Sequence, residues 1–170
     1  MDFRDIVKSA LTEYMEDLND ALEGLTLAER RFQPTPESHH IDFVVWHIAR
    51  VEDGLINRRI RGSQQVWERD GWGARLGLPE HDSGFGFTVK QVANMPHFSL
   101  DDLMSYYRTV REEAFQCIDL LTTEDLNTKI VMNADWEVTV GGLLSHLIVE
   151  EAQHVGQIAY IRGIQRGIDG

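Results

Sequence analysis

A chain with one cysteine cannot close an internal disulfide, and Cys117 is the only cysteine among the 170 residues. A secreted disulfide scaffold is therefore excluded. Cys117 falls within a helical apolar pattern and reads as a small buried hydrophobe, because free thiols are among the most buried side chains; a reactive thiol is the alternative. Long hydrophobic runs are missing too. No stretch approaches the roughly 20 apolar residues that a membrane-spanning helix needs. The segment from Met1 to Leu18 has no basic flank leading into an unbroken apolar run, which argues against a signal peptide and makes the cytoplasm the expected compartment. Cations are few: 16 Lys and Arg against 28 Asp and Glu leave a net charge of −12. Such a surface repels phosphate backbones and argues against nucleic-acid binding. The one compact basic cluster, Arg58, Arg59 and Arg61, reads as the dipole-favoured end of a helix. Several catalytic patterns are also absent. There is no HExxH and no CxxC, and GFGF at 84–87 lacks the Lys and helix that would make a phosphate loop. No Ser-His-Asp array can be argued, and no internal repeat or low-complexity segment occurs.

What remains is ordinary globular composition, 42% hydrophobic and 26% charged, enough to predict one folded domain over residues 1–170. Phe3, Ile6, Val7, Ala10, Leu11, Tyr14, Leu18, Ala21, Leu22 and Leu25 recur at helical spacing and predict an amphipathic first helix ending near Gly24. Thr26 with Glu29 forms a capping box for a short turn. A second helix is expected after Pro36, with Ser38 as N-cap and Gly62 as its stop. Ser99 opens a third, carrying Leu103, Tyr107, Val110, Ala114 and Ile118, which ends near Thr122. The fourth runs from about Thr139 to Gln165 with Leu143, Leu144, Leu147, Val155 and Ile158 on its apolar side. Residues 123–137 read as a connector with a short extended piece at Lys129–Met132. The expected fold class is all-α: a four-helix bundle with a long aromatic and Gly-rich connection, residues 63–98, between helices 2 and 3. A connection of that length is usually functional or a cover, and it is expected to pack over one end of the bundle.

Chemistry concentrates in two helices. His47 lies inside the apolar run VVWHIA, and the fourth helix reads SHLIVEEAQHVGQ, with Glu150 and His154 four apart. Residues i and i+4 share a helix face about 6 Å apart along the axis, a spacing that suits two ligands on one ion. His146 and His154 differ by about 12 Å in rise and do not suit the same ion. Glu151 lies about 100° further round and points elsewhere. A third ligand must come from another helix, and His47 is the candidate; bundles build metal sites from inward side chains on facing helices. Two imidazoles and one carboxylate leave coordination positions open, as catalytic sites do. By spacing alone, ordinary core or surface histidines explain the same pattern.

The motifs WHIARVEDGL around His47 and HLIVEEAQHVGQIAYIRG near the end, with four helices in this order, resemble the DinB/YfiT-like superfamily of metal-dependent bundles across essentially the whole chain. The resemblance implies one metal ligand on the second helix, His47, and a pair on the last helix, of which His154 is the second. The first position of that pair, commonly histidine in the family, is Glu150 here. An acid there suits manganese or iron as well as zinc; zinc or nickel is the first expectation. The resemblance further implies a metal-dependent enzyme acting on a small molecule, a thiol-dependent transferase using a low-molecular-weight thiol or a hydrolase, in a homodimer. The alternatives are a non-catalytic, dimeric metal-binding or interaction bundle and a bundle that has lost its metal. Gln157, one turn after His154, is a candidate to support the site, with a solvent-facing Gln as the alternative. Trp46 and Trp72 are candidates for the pocket wall, with core packing as the alternative. Glu52 and Asp53 read as solvated helix acids, and His39, His40, His81 and His97 as surface residues.

Overall fold

In the computed structural model, residues 1–134 and 136–167 are described; Asp135 of the connector and the last three residues lie outside them. The chain is mostly helical, as expected of an all-α protein, with one small hairpin. Helix α1 spans Phe3–Leu22 and α2 spans Leu27–Arg30. Helix α3, Ile41–Asp53, runs directly into a π-helical stretch, Gly54–Ile60. Within the long connection lie three short helices, α4 (Val66–Arg69), α5 (Trp72–Leu76) and α6 (Val89–Ala93). Helix α7 covers Leu100–Leu120, strands β1 (Lys129–Asn133) and β2 (Trp136–Thr139) pair antiparallel, and α8 covers Val140–Arg166. The expected extended piece is thus the first strand of a hairpin whose second strand leads straight into α8.

The caps follow from local chemistry. Asp2 and Asp5 form a capping box at the start of α1, Thr26 and Glu29 form the one expected at α2, and Ser99 and Thr139 cap α7 and α8. At α3 the expectation fails. The cap is His40, whose Nδ1 accepts the Phe43 backbone N–H at 3.0 Å while Nε2 reaches the Val92 carbonyl at 3.2 Å. This residue is buried, not a surface histidine.

Four long helices pack together: α1 along α8, and α3 against both α7 and α8. Two apolar clusters fill the space between them. One gathers Leu18, Trp46, Tyr106 and Ile158; the other gathers Leu11, Ile56, Ile118 and Leu147. The clusters give the helix directions. Helices α1 and α8 pass from the second cluster to the first, and α3 and α7 pass the opposite way. Between the clusters sits a layer of buried charge. Arg111 of α7 donates to both Glu52 oxygens, at 2.8 and 2.9 Å, to Glu151 at 2.7 Å and to the Leu11 carbonyl. Tyr107 donates to Glu151 at 2.6 Å. Glu52 is therefore no solvated acid, and Glu151 points into the core. Asp53 is buried as well: it accepts from Asn57, from the backbone N–H groups of Val66 and Trp67, and from the Tyr106 hydroxyl. Those bonds cap α4 from outside and tie the long connection to α3.

Trp46, Trp67 and Trp72 pack in the first cluster, so the core alternative holds for Trp46 and Trp72. Cys117 is buried in the second, and burial pushes its thiol above the usual cysteine range. Ile6, placed on the apolar stripe by periodicity, is exposed. Among the described residues no helix is long and apolar enough to cross a membrane.

Candidate metal centre

His47 reaches its position from α3, whose side chains are buried nearly all round. Its ring stacks on Phe43 one turn earlier, with centroids 5.8 Å apart and planes 5° from parallel. Its Nδ1 lies 2.6 Å from the Ser83 carbonyl oxygen. A carbonyl can only accept, so Nδ1 carries the proton and Nε2 keeps its lone pair. Burial pushes the imidazole pKa down, against the pull of the Ser83 carbonyl, which keeps the ring neutral.

The carbonyl is held in place by the chain after it. Gly84 has φ +86°, and a Cβ there would stand 3.0 Å from the rings of both Phe43 and Trp46. Only glycine allows this backbone to press so closely on α3. Arg50, one turn after His47, donates through Nε to the Asp82 carbonyl at 3.1 Å and holds the same segment from the other side. The long connection thus packs onto α3 and aims one of the ligand-type side chains.

Helix α8 supplies the other two. His154 Nδ1 lies 3.0 Å from Gln157 Oε1, a bond in which the ring donates and which turns Nε2 toward Glu150. The His47 and His154 rings meet edge to face with centroids 5.2 Å apart. One candidate ligand atom each from His47, Glu150 and His154 lies within 4.8 Å of the other two. His154 Nε2 stands 3.0 Å from Glu150 Oε2, yet it is buried and makes no aligned hydrogen bond. With each ring donating from Nδ1, the three converging atoms are acceptors, an arrangement that a cation satisfies. Neutral imidazoles and a carboxylate are what a divalent ion of borderline hardness prefers, so the donor set fits a metal.

His47, Glu150 and His154, the candidate ligands, come together. Gln157 is exposed yet accepts from His154 Nδ1. His146 stays outside the convergent set: its Nε2 lies 3.4 Å from Glu150 Oε1 on an exposed side chain. Ser83 was not foreseen. It acts through a backbone carbonyl, which leaves no trace in residue type; the glycines flanking Phe85 were the available sign. His39 is exposed, as a surface residue is expected to be. Its ring packs on Phe43 at 4.3 Å, and it borders a cleft of about 380 Å³ that also touches Gln157.

The sequence profile of the DinB superfamily matches residues 10–158. A solved structure, described as a conserved protein from Enterococcus faecalis, superposes with a TM-score of 0.86 at 23% identity, covering 96% of this chain and 97% of that one. At that identity the likeness speaks for the fold. No curated protein matches the chain.

Proposed function

The chain belongs to the DinB superfamily, and from that premise we propose that it is a single-domain, four-helix-bundle metalloenzyme acting on a small molecule, a transferase that uses a low-molecular-weight thiol. His47, Glu150 and His154 hold one divalent ion, zinc or nickel first, with manganese or iron accommodated by the carboxylate. The observation that carries the reading is the buried His154 Nε2, facing Glu150 at 3.0 Å without a hydrogen bond. When bound, the ion lowers the pKa of a thiol or water beside it. The protein's own residues do the rest. Ser83 and Gln157 hold both imidazoles in the tautomer that turns Nε2 inward. Glu150 supplies the one negative charge. Cys117, buried and raised in pKa, offers no thiolate, so the sulfur must arrive with a cosubstrate.

A hydrolase is the second reading, favoured by the same three-ligand donor set, which leaves room for water. Assaying the metal-loaded protein with electrophilic substrates, with and without an added thiol, separates the two. Thiol-dependent turnover that disappears in His47→Ala supports the transferase. Turnover without thiol selects the hydrolase. No turnover of either kind, with one ion bound, leaves a metal-stabilised binding domain. Homodimer formation belongs to the same proposal, and sedimentation equilibrium tests it.

A further inference from the structure

Two side chains three residues apart on α3, His47 and Arg50, grip consecutive carbonyls of the long connection. Arg50 Nε donates to the Asp82 carbonyl at 3.1 Å, and His47 Nδ1 donates to the Ser83 carbonyl at 2.6 Å. Residues at i and i+3 share a helix face, so one face of α3 holds two successive peptide groups. The two bonds do different work. The His47 bond turns a candidate ligand; the Arg50 bond fixes the peptide before it. Arg50 is 2% exposed, and a guanidinium so buried needs partners. It finds most of them on the connection. Its Nη1 donates to Gln65 Oε1 at 3.0 Å, and its Cζ lies 4.8 Å from the centre of the Trp67 ring, with Asp53 of α3 at 3.6 Å. Gln65 and Trp67 open the connection and Asp82 lies far along it, so one side chain pins both parts to α3. The planar fork of an arginine allows this, since its nitrogens point to several acceptors at fixed angles; a lysine has one nitrogen to offer. Peptide groups are planar, so only the two backbone dihedrals of Ser83 separate the carbonyl that Arg50 holds from the one that His47 uses. On the other side of Ser83 stands Gly84, where a Cβ would come within 3.0 Å of Phe43 and Trp46. The Ser83 carbonyl is thus fixed from both sides.

We infer that Arg50 is a positioning residue of the metal centre. By holding the Asp82 carbonyl it keeps the Ser83 carbonyl on His47 Nδ1, which keeps the proton on that nitrogen and leaves Nε2 free for the ion. The coupling is reciprocal: an ion at Nε2 favours the tautomer that bonds Ser83, so the ion in turn holds the connection on α3. The role rests on the proposed metal site, but the hold on His47 needs no metal and can be measured apart from it.

The variant to make is Arg50→Lys, because it keeps a cation beside the buried Asp53; an uncharged replacement would strip that carboxylate of its partner and endanger the fold. Two quantities are read on full-length protein. The first is the tautomer of His47 in the zinc-free state, from two-bond proton–nitrogen correlations at about pH 8, above the range in which a histidine titrates. The wild type should carry the proton on Nδ1, and Arg50→Lys should show a mixture, while His154 stays as in the wild type. The second is zinc affinity, from competition with a chelating dye. Arg50→Lys should lose about tenfold, the low end for groups that orient a metal ligand. Gln65→Leu releases one arm of the fork and should show both changes to a smaller degree; it decides the matter if Arg50→Lys does not fold. Lost stability in urea is no support, since any buried cation would show it. A folded variant with wild-type zinc affinity, with His47 still on Nδ1, or with both histidines disturbed alike overturns the inference. A wild type that takes up no zinc removes the metal site itself, and the His47 tautomer in the variant then still decides whether Arg50 holds that ring.

Discussion

Two neighbouring acids on α8 have opposite fates. Glu151 enters the core and meets Arg111, Tyr107 and, across Arg111, Glu52. Glu150, one residue earlier, turns about 100° away and meets two imidazoles. Both clusters draw on α3 and α8, but Glu151 is buried whereas Glu150 keeps about a quarter of its side chain exposed. The difference lies in the counter-charge. The Glu151 layer contains its own cation, one guanidinium bonded to two carboxylates, and burial with Glu52 beside it pushes Glu151 up to about 8. The Glu150 cluster holds no Lys or Arg, and Ser83 and Gln157 accept from the two imidazoles on the far side of each ring. A layer with its own cation specifies how helices register; a cluster without one specifies what must be bound.

The comparison can be broken most severely at Arg111. Replacing it with Met leaves Glu52 and Glu151 buried with no cation, and loss of one partner from such a network costs about 3–5 kcal/mol. Urea denaturation of Arg111→Met should show that loss, and a change under 1 kcal/mol would mean the layer is not the one described. The mirror experiment is His154→Ala. Here the metal-free protein should keep its stability, while the stabilisation by zinc disappears. In the wild type that stabilisation is about 2.7 kcal/mol at a hundredfold excess over the dissociation constant, and thermal unfolding with and without zinc reads it. Gln157→Leu sharpens the comparison further. It touches no ligand atom, yet freeing the His154 ring should weaken metal affinity about 10–100-fold, measured by competition with a chelating dye. Unchanged affinity would remove Gln157 from the centre.

The smallest effect concerns His40. Burial, with Arg31 nearby, depresses its pKa from 6.5 to about 4. Between those values the unfolded chain binds a proton that the folded one refuses, so this contribution to stability is full above pH 6.5 and is lost as pH falls toward 4. Protonation would also end the bond that Nδ1 accepts from Phe43. His40→Asn retains a capping side chain without the titration. Across this window the zinc-free wild type should lose about 1–2 kcal/mol more than the variant does, the roughly 3 kcal/mol of such a shift discounted for screening by solvent. Parallel pH profiles from denaturation curves would contradict the assignment.

The long helices and the Glu150–His154 pair were legible from spacing, and His47 from its place in an apolar helix and the family resemblance. Apolar residues at helical period mark a face, and Glu150 and His154 four apart share one. What escaped the sequence depends on partners distant in the chain. Glu52 and Asp53 look like solvated acids until α7 brings Arg111 and Tyr106 to them. Ser38 is a good cap by type, but the segment bonded by Gln33 Nε2 to the Ser38 carbonyl delays the helix until His40. Ser83 contributes only a peptide oxygen, and no residue preference marks it. The tryptophans could not be assigned from type, since an aromatic that lines a pocket and one that fills a core look alike in sequence.

Everything functional rests on one ion at His47, Glu150 and His154. The direct test is metal content by plasma mass spectrometry of untagged protein after zinc reconstitution and gel filtration, for the wild type, His47→Ala, His154→Ala and His146→Ala. About one equivalent in the wild type and in His146→Ala, with near none in the other two, is the expected result. No metal in the wild type, or a full equivalent retained in His154→Ala, would contradict the account.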